Sequence, residues 1–162
     1  MPESKLGEAK ELLIQALDWH KETSEDSKSD KSFEYKPISL SNVSEKDFPP
    51  CIKNILMGIN DGKKRALFIL INLFRSIGIN KEDVEKLIYE WNSKNSPNLK
   101  PAYIKSQLSY SYKNNQKPIM PPNCKEFYQG IGVCNPDDLC KIIKNPVNYV
   151  IKKNLINNQN NK

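Results

Sequence analysis

Four cysteines are the residues of this chain best suited to chemistry, because thiolates bind soft metals. They are Cys51, Cys124, Cys134 and Cys140, with 72, 9 and 5 residues between successive members. Three interpretations are open: two disulfides, which require an oxidising compartment, four buried free thiols, or one site that uses all four sulfurs. Such a site suits a [4Fe–4S] cluster or Zn²⁺. We favour iron–sulfur over zinc, because no two cysteines have the short spacing of paired zinc ligands.

The residues next to these cysteines favour metal binding over core packing. Cys51 follows two prolines, Cys124 follows Pro-Pro-Asn, and Cys134 precedes Asn-Pro. Prolines place such thiols in loops or at helix ends, where backbone N–H groups stabilise thiolates. A site that joins Cys51 to Cys124 would connect the beginning of the folded body to its end. We therefore expect loss of the metal to loosen the fold.

A run of three cations, Lys63, Lys64 and Arg65, directly follows Gly62 and precedes a long apolar stretch. At the N-terminus of the predicted helix, unpaired backbone N–H groups and three cations would form an anion-binding site. The alternative is a solvated helix start. Cations at that end oppose the helix dipole, and this small cost favours a function for them.

A second candidate surface alternates tyrosines with lysines: Tyr103, Lys105, Tyr110, Tyr112 and Lys113. Aromatic faces stack on the bases of single-stranded nucleic acid, while lysines contact phosphates. The alternative is core packing, which the helical spacing of Tyr103 and Tyr110 allows. We expect at least one of these two to pack against the core, and Tyr112 and Lys113 to be exposed. Arg75 suits either role.

Charge and hydropathy exclude a membrane protein and point to an anionic partner. The 162 residues carry a formal net charge of +6, which is divided unevenly: −4 over residues 1–50, +9 over residues 51–153 and +1 over residues 154–162. A basic body favours nucleic acid as the partner, although a solvated basic surface is an equal alternative. The mean hydropathy is −0.66, and no apolar run reaches the roughly 20 residues of a membrane-spanning helix. Since no signal-peptide pattern is present either, we expect a soluble, cytoplasmic protein.

Helical periodicity predicts an all-α fold: an irregular helical bundle closed by the four-cysteine metal site, with a flexible N-terminal leader helix. The predicted helices of the body cover residues 49–59, 63–77, a segment from Asn80, and 101–114, with further helix starts at Pro136 and Pro146. The predicted domains are a leader helix 1–22, a flexible linker 23–47, the body 48–153 and a disordered tail 154–162. The leader, apolar on one side and acidic on the other, is a candidate docking element.

The acidic residues do not predict catalysis by this chain alone. No Asp-x-Asp pair is present of the kind that a two-metal nucleotidyl-transfer site requires. Asp137 and Asp138 are interpreted as residues of a first helical turn, and the lone His20 has no evident partner. We therefore assign no catalytic residue.

Several short segments of the body occur together in an order typical of one known family. They are Phe48-Pro49-Pro50-Cys51-Ile52, Gly62-Lys63-Lys64-Arg65, Pro121-Pro122-Asn123-Cys124, Gly132-Val133-Cys134, Cys140-Lys141 and Lys144-Asn145-Pro146-Val147-Asn148-Tyr149. As a set they resemble the C-terminal domain of the large subunit of archaeal and eukaryotic DNA primases. The resemblance covers about residues 48–152.

The resemblance implies a [4Fe–4S] cluster held by all four cysteines. It also implies that Arg65, with Lys63 and Lys64, contacts the triphosphate of the initiating nucleotide and the template, and that tyrosines of residues 103–113 face template or nucleotide. The implied function is that of an accessory, non-catalytic subunit, which binds single-stranded DNA template and the initiating nucleotide or the 5′ end of an RNA primer. The implied partners are the catalytic subunit of a primase and, as a further candidate, the large subunit.

Two departures from the family leave alternatives open. The N-terminal domain that docks the catalytic subunit in that family is not found, and a short acidic leader stands in its place. In size the chain is similar to the small third primase subunit of some archaea, yet it keeps four cysteines; a cellular primase and a mobile element's replication system are both possible origins. The main rival function is a zinc-bound protein-interaction domain without nucleic-acid function. An electron-transfer protein is a weaker third, since it would use compact C-x2-C ligation.

Overall fold

The computed structural model describes residues 9–10, 43–113, 118–124 and 126–160 of the chain. The chain divides into two units, residues 1–35 and 36–162. In the first unit only residues 9 and 10 are described, so the predicted leader helix 1–22 otherwise lies outside the described residues, as does the predicted linker up to residue 42. All elements named below belong to the second unit.

The described part of the second unit contains helices and no strand, which confirms the predicted all-α class. The six α-helices of the described residues are α1 Pro50–Leu56, α2 Lys63–Ser76, α3 Lys81–Ser93, α4 Pro101–Ser111, α5 Glu126–Gln129 and α6 Pro146–Asn160. Two 3-10 helices accompany them, η1 Glu45–Asp47 and η2 Leu139–Ile142. None of the described helices is long and apolar enough to cross a membrane.

Helix α2 forms the centre of the core, as its nearly continuous apolar sequence predicts. Its buried apolar residues are Ala66, Leu67, Ile69, Leu70, Ile71, Leu73 and Phe74. Helices α3, α4 and α6 all pack against it. The helix ends before Gly78, whose φ of 82° is the left-handed conformation expected of a glycine stop. Since α2 is fixed on several sides, the cations at its first turn occupy a rigid position.

Helix α3 begins and packs as its sequence predicts. The Oδ1 of Asn80 accepts a hydrogen bond from the Asp83 backbone N–H at 2.8 Å, so Asn80 caps the helix. Val84, Ile88 and Trp91 are buried on one face. The Nε1–H of Trp91 donates to the carbonyl oxygen of Ile55 in α1 at 2.8 Å, which ties these two helices together.

Several predicted helix boundaries are wrong. The first helix ends at Leu56 rather than at residue 59, because Gly58 has a φ of 102° and leaves the helical conformation. Helix α4 ends at Ser111 rather than at residue 114. Pro136 does not begin a helix, since the next helical turn, η2, begins only at Leu139. The Asp137 carboxylate, just before η2, accepts a hydrogen bond from the Cys140 N–H at 3.0 Å.

The folded body extends beyond both predicted ends. Asp47, assigned to the linker 23–47, is buried in η1. Helix α6 continues to Asn160, and Asn154 on it is buried, so the prediction of a disordered tail 154–162 is wrong for residues 154–160. Asn157 donates to an Asp47 oxygen at 2.6 Å. This polar contact explains why an Asn-rich segment with few apolar residues is still held in place.

Candidate metal centre and cationic cavity

The four cysteines line one cavity of about 160 Å³, together with Tyr128, Gln129, Asn135 and Pro136. Cys51 comes from the first turn of α1, and Cys124 from the loop before α5. Cys134 lies in the loop after α5, and Cys140 lies in η2. The fold therefore lines one cavity with cysteines from four separate places in the chain. Their role as metal ligands stays a prediction.

The segment that carries Cys124 is held by the start of α6. The Cys124 N–H donates to the Lys144 carbonyl oxygen at 2.8 Å. The side chain of Asn145 donates to the Pro121 carbonyl oxygen at 2.6 Å, and its oxygen accepts from the Val147 N–H at 2.9 Å. Asn145 is thus both the N-cap of α6 and the anchor of this segment.

The segment that carries Cys134 is held by α1 and α5. The amide of Asn54, one turn after Cys51, donates to the Val133 carbonyl oxygen at 3.0 Å. Val133 is itself buried, and its N–H donates to the Tyr128 carbonyl oxygen at 3.1 Å. Since Asn54 and Cys51 share one short helix, this bond fixes the position of Cys134 relative to Cys51.

Three of the thiols, those of Cys51, Cys124 and Cys140, occupy an environment that opposes their ionisation. Burial raises the pKa of Cys51 to about 12, and the charges of the other three cysteines add to the effect. Burial is also the main cause that raises the pKa of Cys124 and, to about 11, that of Cys140. Four thiolates packed together need positive charge between them, which a bound metal supplies. The raised pKa values argue against a nucleophilic thiolate at Cys51, Cys124 or Cys140.

The four thiols form a donor set that suits a metal group. Four sulfurs around a single Zn²⁺ at about 2.3 Å lie only about 3.8 Å apart. Among the described residues, no group of three or more His, Cys, Asp or Glu side chains is placed to hold one metal ion. The four thiols instead surround a shared volume of about 160 Å³. Four thiolates are a known ligand set both for a [4Fe–4S] cluster and for a structural Zn²⁺, so the residues of this cavity fit either group.

Two buried tyrosines lie beside the cysteines, and sequence reasoning gave neither a role in the site. Tyr128 lines the cavity, and its hydroxyl donates to the Pro122 carbonyl oxygen at 3.2 Å. Burial raises the pKa of Tyr128 and of Tyr149 well above the usual range, reinforced by nearby cysteines at Tyr128 and mainly by Asp137 at Tyr149. The Tyr149 hydroxyl donates to Asp137 at 2.6 Å. Partial burial opposes ionisation of Asp137, but the bonds from Tyr149 and Cys140 outweigh it and lower its pKa.

A second cavity, of about 420 Å³, lies at the N-terminus of α2. Lys63, Lys64 and Arg65 line it, together with Asn60, Asp61, Gly62, Leu99, Gly130 and Ile131. Lys64 and Arg65 are exposed, whereas the Lys63 ammonium donates to the carbonyl oxygens of Asn60 and Ser96. The three predicted cations therefore line one cavity, and Lys63 also connects the start of α2 to the turn at Ser96.

Helix α4 contributes aromatic and basic side chains near this cavity. The Nζ of Lys64 lies 5.3 Å from the centroid of the Tyr103 ring, a cation–π distance. Tyr103 is half-buried. Tyr110, with 69% of its surface exposed, and Lys105 are available to solvent. Of the predicted tyrosines, Tyr103 is the one placed against the cationic run.

Arg75 and Tyr112 form a separate pair, away from the cationic cavity. The guanidinium of Arg75 lies 4.7 Å from the Tyr112 ring centroid, and Lys81 lies 5.9 Å from the same ring. Arg75 is buried, and it follows Arg65 by ten residues, or about 15 Å along a helix. Tyr112 is half-buried, so the prediction that it is exposed is wrong, whereas Lys113 is exposed as predicted. The pair is built into the packing of α2 and α4.

Comparison with known proteins agrees with this architecture. The family described as the C-terminal domain of the eukaryotic and archaeal DNA primase large subunit matches residues 41–159. The DNA primase large subunit PriL of Pyrococcus horikoshii and that of Pyrococcus abyssi are each 28% identical to the chain over 143 residues. Each alignment covers 65% of this chain and 36% of the relative, so the chain spans about a third of the length of these proteins. No solved structure matches the chain significantly.

The family match confirms the resemblance drawn from the short segments, and it extends that resemblance on both sides. It begins at residue 41, within the predicted linker, and it ends at residue 159, within the predicted tail. These limits agree with the buried Asp47 of η1 and with the length of α6. The chain belongs to the family formed by the C-terminal domains of eukaryotic and archaeal DNA primase large subunits.

Proposed function

We propose that this protein is an accessory, non-catalytic subunit of an archaeal-type DNA primase. It binds single-stranded template together with the initiating nucleotide, or the 5′ end of an RNA primer, and a separate catalytic subunit then extends the primer. The observation that carries the proposal is the cavity of about 420 Å³ lined by Lys63, Lys64 and Arg65. Family membership supports it, because the matched family is a primase domain.

The cavity suits phosphate for reasons of charge and geometry. It opens at the first turn of α2, where backbone N–H groups are not used within the helix. The exposed side chains of Lys64 and Arg65 add positive charge, and Arg binds phosphate in a bidentate manner. Tyr103, next to Lys64, adds an aromatic face on which a base stacks. Together these groups would bind a nucleoside triphosphate.

The contribution to catalysis is positioning. Holding the triphosphate of one nucleotide beside the template converts an encounter of separate reactants into a reaction between bound ones. The exposed lysines Lys105, on α4, and Lys113, two residues after its end, would contact the phosphates of the template strand. No residue of this chain is proposed to move the reacting proton or to bind the catalytic metals.

We further propose that Cys51, Cys124, Cys134 and Cys140 hold a [4Fe–4S] cluster, with zinc as the alternative occupant. When bound, the cluster supplies a multivalent link between four thiolates and neutralises their charge. The thiolates of α1 and η2, and those of the loops on either side of α5, are thereby held together. Gln129 lines the cysteine cavity, and Gly130 and Ile131, which follow it, line the cationic cavity. The bound cluster would therefore also support the side of the nucleotide site that Gly130 and Ile131 form.

The catalytic subunit of a primase is the proposed partner, and the large subunit is a further candidate. The names of the matched relatives, which are large subunits of DNA primase, support this choice. The predicted leader helix 1–22 remains the proposed docking element, and apart from residues 9 and 10 it lies outside the described residues.

The test compares Arg65→Ala with Lys86→Ala. Both residues are exposed, but Lys86 lies on α3 and lines neither cavity, so it controls for the loss of one positive charge. Binding of a nucleoside triphosphate and of a 5′-triphosphate primer on its template is measured by fluorescence anisotropy at several salt concentrations. Primer initiation by the complex reconstituted with its catalytic subunit is measured in parallel.

Arg65→Ala is expected to weaken binding roughly tenfold, because a charge-assisted hydrogen bond to phosphate contributes about 1.5–3 kcal/mol. The slope of log affinity against log salt concentration should also decrease by about one, which corresponds to one lost phosphate contact. Lys86→Ala should change affinity less than about twofold. Unchanged affinity and unchanged initiation for Arg65→Ala would show that the site is wrongly assigned. Colourless protein with one zinc and no salt-dependent DNA affinity would instead indicate the protein-interaction domain.

A further inference from the structure

Asp137 and Tyr149 form a hydrogen-bonded pair beside Cys140. The Tyr149 hydroxyl donates to Oδ2 of Asp137 at 2.6 Å, and the Cys140 backbone N–H donates to Oδ1 at 3.0 Å. The Cys140 N–H also lies 3.1 Å from the Asp137 carbonyl oxygen, so these residues form a tight turn. Both carboxylate oxygens are thus engaged, one by each neighbour.

The pair connects the turn that carries Cys140 to the start of α6. Asp137 precedes η2, which carries Cys140, whereas Tyr149 is in the first turn of α6 and is 4% exposed. The same turn of α6 holds the Cys124 segment through Asn145. The start of α6 therefore sets the positions of two cysteines. Asn145 acts on the segment of Cys124, and Tyr149 acts on Cys140 through Asp137.

The neighbouring acid, Asp138, has the same charge in a different environment. Its side chain is 97% exposed, and its carboxylate lies 2.7 Å from the Lys141 ammonium, where water screens the interaction. By contrast, the Asp137 oxygens accept hydrogen bonds from the backbone N–H of Cys140, a proposed ligand, and from the hydroxyl of the buried Tyr149. The two adjacent carboxylates therefore carry the same charge in different surroundings.

We infer that Asp137, held by Tyr149, is a positioning residue for the Cys140 ligand and that its charge lowers the reduction potential of the bound cluster. The inference rests on the proposed cluster. A residue that orients a ligand in this way commonly changes metal affinity when it is removed. A negative charge beside a ligand disfavours addition of an electron, and cluster potentials respond to such charge.

The test uses cluster-loaded protein with Asp137→Asn, Asp138→Asn and Tyr149→Phe. Three quantities are measured for each: iron per chain, the rate of iron loss to a chelator, and the midpoint potential by voltammetry. In Asp137→Asn the oxygen can still accept from the Cys140 N–H while the amide donates to the Tyr149 hydroxyl, so charge is removed and the contacts are kept. Its potential is expected to become more positive than that of the wild type. The potential of Asp138→Asn is expected to stay unchanged.

Tyr149→Phe keeps the charge and removes the bond that holds it. Iron loss is expected to become about tenfold faster, the lower end of the effect of such supporting residues. A potential shift that is equal for Asp137→Asn and Asp138→Asn, or absent from both, overturns the inference. If Asp137→Asn fails to fold, Tyr149→Phe decides, and an unchanged rate of iron loss overturns the inference. Wild-type protein without iron overturns the proposed cluster as well, which separates that failure from one confined to Asp137.

Discussion

Gly62 illustrates how one residue links the cationic run to the rest of the fold. Its φ of 73° is the left-handed conformation, and a Cβ placed there would lie 2.6 Å from Cγ2 of Ile131. The N-terminus of α2 and the loop after α5 can approach closely only because this position has no side chain. Both Gly62 and Ile131 line the cationic cavity, so its width depends on this contact.

Gly62→Ala should therefore reduce the stability of the protein more than Gly132→Ala does. Gly132 has a φ of 69°, and a Cβ added to it would meet nothing within 4 Å, so the two variants share the cost of about 1–2 kcal/mol for left-handed backbone. Gly62→Ala should lose about 1–3 kcal/mol more from the overlap with Ile131 and should bind nucleoside triphosphate more weakly. Urea denaturation and anisotropy measure the two effects. Equal losses of stability would mean that Ile131 moves aside freely.

At the scale of elements, the helices were more predictable than the connections between them. Asn80 and Asn145 each precede a helix and act as its cap, as their sequence patterns predict. The apolar sequence of α2 likewise predicts its central position. The bonds from Asn145 to Pro121 and from Asn54 to Val133 join residues 24 and 79 positions apart. No local pattern encodes such pairs, because they depend on how the helices pack.

Asn145→Ala should destabilise the protein more than Asn80→Ala, although both remove an N-cap. Loss of the cap alone costs about 1 kcal/mol, which is the expected effect of Asn80→Ala on the free energy of unfolding. Asn145→Ala also leaves the Pro121 carbonyl without its buried donor, for about 1–3 kcal/mol in addition. Chemical denaturation measures both. If the two variants lose equal stability, the bond to Pro121 contributes nothing, and Asn145→Asp, which keeps the cap but not the donor, should then be neutral.

At the scale of the whole molecule, the spacing of the cysteines predicted a shared site but not what surrounds it. Four thiols, three adjacent cations and their order along the chain were visible in the sequence. Tyr128 was not identified, since a buried tyrosine in a short helix has no distinctive pattern. Asp137 was interpreted as a residue of a helical turn, and its role beside Cys140 depends on Tyr149, twelve residues later.

Removal of the metal should reduce stability much as opening a cross-link does. A link between Cys51 and Cys124 closes a loop of more than 70 residues, and a covalent cross-link of that length contributes about 4 kcal/mol by the chain-entropy model. Cys51→Ser and chelator-treated wild type should therefore show similar, lower midpoints of thermal unfolding than the loaded protein. Circular dichroism with iron analysis on each sample measures this. Equal midpoints for loaded and metal-free protein would contradict a cross-linking role.

The bond between Asp47 and Asn157 spans 110 positions and brings the two ends of the described body together. A unit whose ends meet can be placed within a loop of another protein without stretching either connection. The same proximity should permit circular permutation: a short flexible linker could join the ends, and new termini could open at an exposed turn.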